Sequence, residues 1–112
     1  MELNTGLKMI KNHIIRTDGT EVWYKNGKEH RTNGPDIIYL NESEIWFKDG
    51  LIHRDDGPAI TYPNGTEKWY INGERHRKDG PAIIYSDGTE YWYKNGKINR
   101  EICSWNIIMK QK

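Results

Sequence analysis

The stretch WFKDGLIHRDDGP, residues 46–58, appears again as WYINGERHRKDGP at residues 69–81, as WYKNGKEHRTNGP at 23–35, and in shortened form as WYKNGKINRE at 92–101. Trp23, Trp46, Trp69 and Trp92 are 23 residues apart, and Gly27, Gly50, Gly73 and Gly96 keep the same step without an insertion. A fixed period of this length is the mark of a chain assembled from stacked supersecondary units, each too small to bury its apolar face alone. Further columns fall in register: Glu21, Glu44, Glu67 and Glu90; His30, His53 and His76; Arg31, Arg54, Arg77 and Arg100; Pro35, Pro58 and Pro81; Tyr39, Tyr62 and Tyr85.

Composition agrees with a layered body. At 112 residues, 35% hydrophobic side chains and a mean hydropathy of −0.96, the chain is lean for one central core. Seventeen basic against 16 acidic side chains leave a net charge of +1, which supplies no overall attraction to duplex nucleic acid or an anionic membrane. Cys103 is the single cysteine, so an intrachain disulfide is excluded, as suits a reducing compartment. No run of about 18 apolar residues occurs, and the opening residues lack a signal-peptide apolar core, so a cytoplasmic protein is expected.

Each repeat carries Asp-Gly or Asn-Gly both before and after a short β-prone run such as EVWYK, EIWFK or EYWYK; Glu42 breaks the first signal in one copy. These pairs adopt the positive φ angles of tight turns, so an antiparallel, all-β meander of stacked hairpins is expected. A two-residue turn at Asn26-Gly27 would set Trp23 opposite His30. One at Asn41-Glu42 would set Trp46 opposite Ile37 and Glu44 opposite Tyr39. The face so defined, running Ile, Tyr, Glu, Trp, His, is the same from copy to copy and is the expected interior. The opposite face varies: Val22, Ile45, Lys68 and Tyr91 share one column. Gly34-Pro35, Gly57-Pro58 and Gly80-Pro81 demand at least a bend, because proline cannot donate to a ladder.

The half-repeat YKNGKEH, residues 24–30, resembles the MORN repeat, which has the same period and an aromatic, any residue, Asn, Gly, two residues, His core. Arg31 and Gly34-Pro35 stand where that family prefers glycines, and Tyr85, Asp87 and Gly88 are displaced by two positions from the family's equivalent. The chain is thus similar to a diverged MORN-like type, W-Y-x-N-G-x-x-H-R-x-x-G-P-A, associated with phages and large DNA viruses. The resemblance covers residues 13–100 and implies a sheet of stacked β-hairpins with a binding or scaffolding role, sometimes at membrane lipids, and no reaction. Residues 1–12 are then an N-terminal cap, 13–98 four repeats and 99–112 a C-terminal cap. Asn99 as an N-cap and Ile102, Trp105, Ile108 and Met109 at helical intervals predict a short capping helix.

Chemistry is not indicated by these columns. Equivalent histidines in adjacent repeats should lie roughly 9–10 Å apart, two strand spacings, too far to share one ion, and no HxH, CxxC or HExxH spacing occurs. Each His is expected to stack on its Trp within a polar ladder. The glutamate column repeats one environment, whereas glycoside hydrolysis needs two carboxyls in unlike ones. Cys103 has no partner signature for a nucleophile. No catalytic residue, metal or cofactor is therefore assigned.

Recognition is expected where the copies differ. The candidate surface for a protein partner is Tyr24, Phe47, Tyr70, Tyr93, Ile52, Lys68 and Arg75, and the viral association points to inhibition of a host defence factor such as a nuclease, in the host cytoplasm. A second expectation is a nucleotide or lipid phosphate held between the tyrosines and Arg31, Arg54, Arg77 and Arg100, although Asp55, Asp56, Asp79 and Glu101 beside these arginines compete for them. A membrane role follows from the resemblance alone, and a single-layer sheet with open edges also permits homo-oligomers.

Overall fold

A computed structural model of the chain describes residues 8–10, 12–25, 27–29 and 34–103. Strands β1 (Lys8–Ile10), β2 (His13–Ile15) and β3 (Glu21–Lys25) are followed by ten two-residue strands and one long final pair. The short ones are β4 (Lys28–Glu29), β5 (Ile37–Ile38), β6 (Glu44–Ile45), β7 (Phe47–Lys48), β8 (Leu51–Ile52), β9 (Ile60–Thr61), β10 (Glu67–Lys68) and β11 (Tyr70–Ile71). Then come β12 (Glu74–Arg75), β13 (Ile83–Ile84), β14 (Glu90–Lys94) and β15 (Lys97–Ile102). The fold is all-β and antiparallel, with no helix among the described residues.

A main sheet runs β1-β2-β3-β5-β6-β9-β10-β13-β14-β15, and two-stranded hairpins, β7-β8 and β11-β12, project beside it. The chain is drawn out to 61 × 25 × 19 Å, and its radius of gyration of 16.9 Å exceeds the ~13 Å of a compact domain this size. Each strand of the sequence type EIWFK therefore does two jobs: Glu44-Ile45 pair in the main sheet, while Phe47-Lys48 pair in a hairpin. Trp46 sits at the change-over, its N–H donating to Ala59 O, and Trp69 does the same to Ala82 O. The DGP segment is a bend between the hairpin and the next main-sheet strand, as the Gly-Pro pairs require.

Two kinds of turn close these strands. Asp49-Gly50, Asn72-Gly73 and Asn95-Gly96 all have positive φ at both residues, the geometry of a two-residue turn matched to strand twist. Phe47 consequently pairs with Ile52 and Tyr70 with Arg75, and the next residues inward, His53 and His76, donate their N–H groups to Trp46 O and Trp69 O. The expected opposition of Trp and His holds there; His30 lies outside the described residues.

The main-sheet turns are one residue longer than expected. Tyr39 N donates to Ser43 O and Glu42 N to Tyr39 O, so Leu40, Asn41 and Glu42 form the loop, and Glu42 takes φ +74. The same bonds join Arg16 to Thr20, Tyr62 to Thr66 and Tyr85 to Thr89, with Gly19, Gly65 and Gly88 at positive φ. An Asp or Asn in each loop accepts the N–H two residues on: Asp18 from Thr20, Asn41 from Ser43, Asn64 from Thr66 and Asp87 from Thr89, at 2.8–2.9 Å.

That extra residue shifts the register. Ile37 pairs with Ile45, not Trp46, and Ile38 pairs with Glu44, in place of Tyr39. The expected interior holds for Ile60, Ile83 and His53, which are buried, and is corrected for the tyrosines. Val22, from the varied column, is 2% exposed beside Ile37, whereas Tyr39 and Tyr85 are 39% and 37% exposed. The core is a row along the sheet: Val22, Ile60 and Ile83, with Ala59 and Ala82 under the change-over. Burying each isoleucine stabilises by ~1.5–3 kcal/mol, which suits a body without a centre.

The last repeat departs from the others. β15 runs through Lys97–Ile102 against β14, with a register shift between Trp92 and Tyr93 that leaves Asn99 as the extra residue of a bulge. Asn99 and Ile102 thus belong to a strand, which corrects their assignment to a helix; Trp105, Ile108 and Met109 lie outside the described residues. No helix among the described residues is long and apolar enough to cross a membrane.

Candidate functional site

The arginine column is built into the scaffold. The guanidinium carbon of Arg54 lies 3.9 Å from the centroid of Trp46, that of Arg77 3.9 Å from Trp69, and that of Arg100 5.0 Å from Trp92. Arg54 Nη1 donates to Pro58 O at 3.2 Å and Arg77 Nη1 to Pro81 O at 3.3 Å. The other side of each guanidinium is closed by glycine: a Cβ on Gly57 would stand 2.8 Å from Arg54 Cζ, and one on Gly80 2.9 Å from Arg77 Cζ. The Gly of the Gly-Pro bend is therefore needed for close approach, not for its φ angle. Arginine, not histidine, stacks on these tryptophans, because the bend folds the chain so that the residue after His returns over the indole. Arg31 lies outside the described residues.

Histidine stacks on tryptophan at one place that the columns did not predict. His13 lies 4.2 Å from Trp23, ring on ring at 8°, with Nε2 3.1 Å from Glu21 Oε1. It occupies the same place in the period as Asp36, Ala59 and Ala82, so its identity broke the column and concealed the position.

His53 and His76 instead clip successive hairpins together. His53 Nδ1 accepts the N–H of Asn72 at 2.9 Å, beside Gly73 N donating to Ile52 O at 2.8 Å. His76 Nδ1 accepts from Asn95 at 3.1 Å, beside Gly96 N donating to Arg75 O at 3.0 Å. Accepting at Nδ1 fixes the neutral tautomer with its hydrogen on Nε2. In His53, 7% exposed, that hydrogen is donated to Asp55 Oδ1 at 2.8 Å, so both ring nitrogens serve the fold. Among the described residues no three His, Cys, Asp or Glu side chains gather as metal ligands would.

The aromatic column of the candidate surface and its cross-strand partners occupy the hairpins. Tyr24 pairs with Glu29, Phe47 with Ile52, Tyr70 with Arg75 and Tyr93 with Ile98. Alternation along a strand points Tyr70 away from the side of Trp69 and Ile71, so the tyrosine and arginine columns lie on opposite faces. Arg75 ties two repeats together: Nη1 donates to Tyr93 OH at 2.9 Å and Nε lies 3.5 Å from Tyr70 OH, with its guanidinium 5.2 Å from the Tyr93 centroid. The Tyr70 hydroxyl, foremost, raises the Arg75 pKa above its ordinary value. Phe47, Ile52, Tyr70, Arg75 and Tyr93 are half-buried, and Ile98 is exposed. Lys68 is placed elsewhere, between Ile60 and Ile83 in the main sheet, with its ammonium 5.3 Å from the Tyr62 centroid. The sequence also missed Leu51, 49% exposed at a hairpin tip, which packs next to Gly73 of the following turn.

The sequence matches no protein-family model and no curated protein.

Proposed function

We propose that the chain is a non-enzymatic interaction module of the MORN-like kind, built on its 23-residue period, that offers the hairpin face to a protein partner. The observation that carries this is the division of labour among side chains. Residues of the recurring columns are engaged internally: Arg54 and Arg77 on their indoles, His53 and His76 on the next turn. The hairpins carry a half-buried row, Phe47, Ile52, Tyr70, Arg75 and Tyr93, in which a recurring aromatic column stands beside one that changes from Ile52 to Arg75, and Arg75 reaches the hydroxyls of Tyr70 and Tyr93. A pre-positioned strip of aromatic, aliphatic and guanidinium groups loses little freedom on binding and has the composition of interface hot spots. A host defence factor is the partner class that the viral resemblance favours, and inhibition is the corresponding role.

The test is affinity purification from expressing host cells with Phe47→Ala and Arg75→Ala, using Thr61→Ser in the main sheet as control. Proteins retained by wild type and control should be lost from both hairpin variants, each substitution costing about 2 kcal/mol of binding or more. Folded variants that keep every co-purifying protein would remove the hairpin face from consideration.

A further inference from the structure

Between the second and third repeats, on the tryptophan and arginine side, a cleft of about 480 Å³ is lined by Arg54, Asp55, His76, Arg77, Lys78 and Asp79 among others. A volume in this range accommodates a small organic ligand. The two bends that meet there have nearly identical sequences, HRDDGP at 53–58 and HRKDGP at 76–81. They differ at one position, and that difference changes which hydrogen-bonding groups are in use.

In the earlier bend acids engage the imidazole donor and one edge of the guanidinium. His53 Nε2 is bonded to Asp55 at 2.8 Å, and Arg54 donates through Nε to Asp56 at 3.2 Å and through Nη1 to Pro58 O. In the later bend Lys78 stands where Asp55 would be. His76 has the same fixed tautomer, since Nδ1 accepts from Asn95, but its Nε2 hydrogen meets no acceptor among the described residues. Arg77 donates through Nη1 to Pro81 O and makes no bond to Asp79 corresponding to that of Arg54 with Asp56. His76, Arg77 with the unengaged part of its guanidinium, and Lys78 therefore line one cleft. Its two acids, Asp55, which keeps its charge while accepting from the neutral His53 ring, and Asp79, are set against three cations, Arg54, Arg77 and Lys78.

We propose that this cleft binds a compact oxyanion of the phosphate class, with His76 Nε2, Arg77 and Lys78 as donors. Arginine supplies paired N–H groups in a plane and lysine a mobile point charge, the combination that suits a tetrahedral oxyanion. The site lies on the face opposite the aromatic row of the hairpins, so it is independent of the protein-binding surface proposed above.

The test is a titration of nitrogen-15-labelled protein, followed through the histidine ring signals at constant ionic strength. Three probes separate the sources of such a group: inorganic phosphate, glycerol phosphate, and phosphatidylcholine vesicles containing phosphatidic acid. The His76 Nε2 signal should move with saturation while that of His53 stays fixed. A response to either soluble probe assigns a free phosphate or its ester, and a response to vesicles alone assigns a lipid headgroup. Lys78→Asp rebuilds the earlier bend within a sequence the fold already accepts at Asp55, and should weaken binding about tenfold, equivalent to ~1.4 kcal/mol. Asp79→Asn should tighten it. Absence of any saturable His76 response, an unchanged affinity in Lys78→Asp, or weaker binding in Asp79→Asn would each overturn the proposal.

Discussion

The turns at the two sides of each repeat differ in where their hydrogen bonds go. The main-sheet loops are self-contained: Asp18, Asn41, Asn64 and Asp87 satisfy the N–H groups of their own loops. The hairpin turns give theirs away, Asn72 to His53 Nδ1 and Gly73 to Ile52 O, with the same arrangement one repeat later. Neighbouring repeats are thus coupled through polar clips at the hairpins and through the continuous ladder at the sheet, while the loop tips are left to local chemistry. Substitutions at hairpin turns should be felt across repeats, and substitutions at loop tips should not.

The strongest way to break this contrast is His53→Ala. It removes the acceptor of the Asn72 N–H and empties a buried site, and should cost roughly 2–4 kcal/mol in denaturant unfolding. A loss as small as that of a loop-tip substitution would erase the distinction between the turns. Next, Gly80→Ala should cost roughly 1–3 kcal/mol by driving the Arg77 guanidinium off Trp69. In an Arg77→Ala background the same change should cost little, and an equal cost there would show that the glycine answers to something other than arginine.

At the self-contained loops the effects should be smaller and local. Glu42, at φ +74 where the other loops carry glycine, should be improved on by Glu42→Gly, with a gain of about 1 kcal/mol and a raised Tm. A fall in Tm would mean that the Glu42 side chain contributes more than its backbone strain. Least of all, Asp18 and Asp87 lie below their ordinary value of 3.8, chiefly because the amides of Thr20 and Thr89 donate to them. Their contribution is complete above that value and lost as pH falls through the depressed folded one. The double variant Asp18→Asn, Asp87→Asn copies the loops at Asn41 and Asn64 and should flatten the acid limb of the Tm profile. An unchanged limb would place acid sensitivity elsewhere.

How much was legible follows the same division. The hairpin turns were readable, because Asn-Gly and Asp-Gly between strands of matched length leave one geometry, and the opposition of Trp46 to His53 followed. The main-sheet loops were misjudged because Asp-Gly also fits a three-residue loop with glycine at its last position. The distinguishing mark was the Thr or Ser after it, at 20, 43, 66 and 89, whose N–H the Asp or Asn side chain takes. That one residue moved Val22 inward and Tyr39 outward. Stacking of Arg54 and Arg77 could not be read from the columns either, since His and Arg are adjacent and the choice between them rests on how the bend at Gly57 and Gly80 folds back. Conversely, Ser43 Oγ, buried and without a hydrogen-bond partner among the described residues, has a sequence-level cause: Ser86 N donates to Thr66 Oγ1, and the counterpart of Ser86 is Pro63, which has no N–H to give.

The clips at His53 and His76 have a direction. In both, the turn amides of the later repeat donate to acceptors of the earlier one, while Arg54 N and Arg77 N cross the same seams the other way, to Tyr70 O and Tyr93 O. A chain leaving the ribosome would therefore meet each docking point already formed, and growth could proceed one unit at a time without waiting for the far terminus.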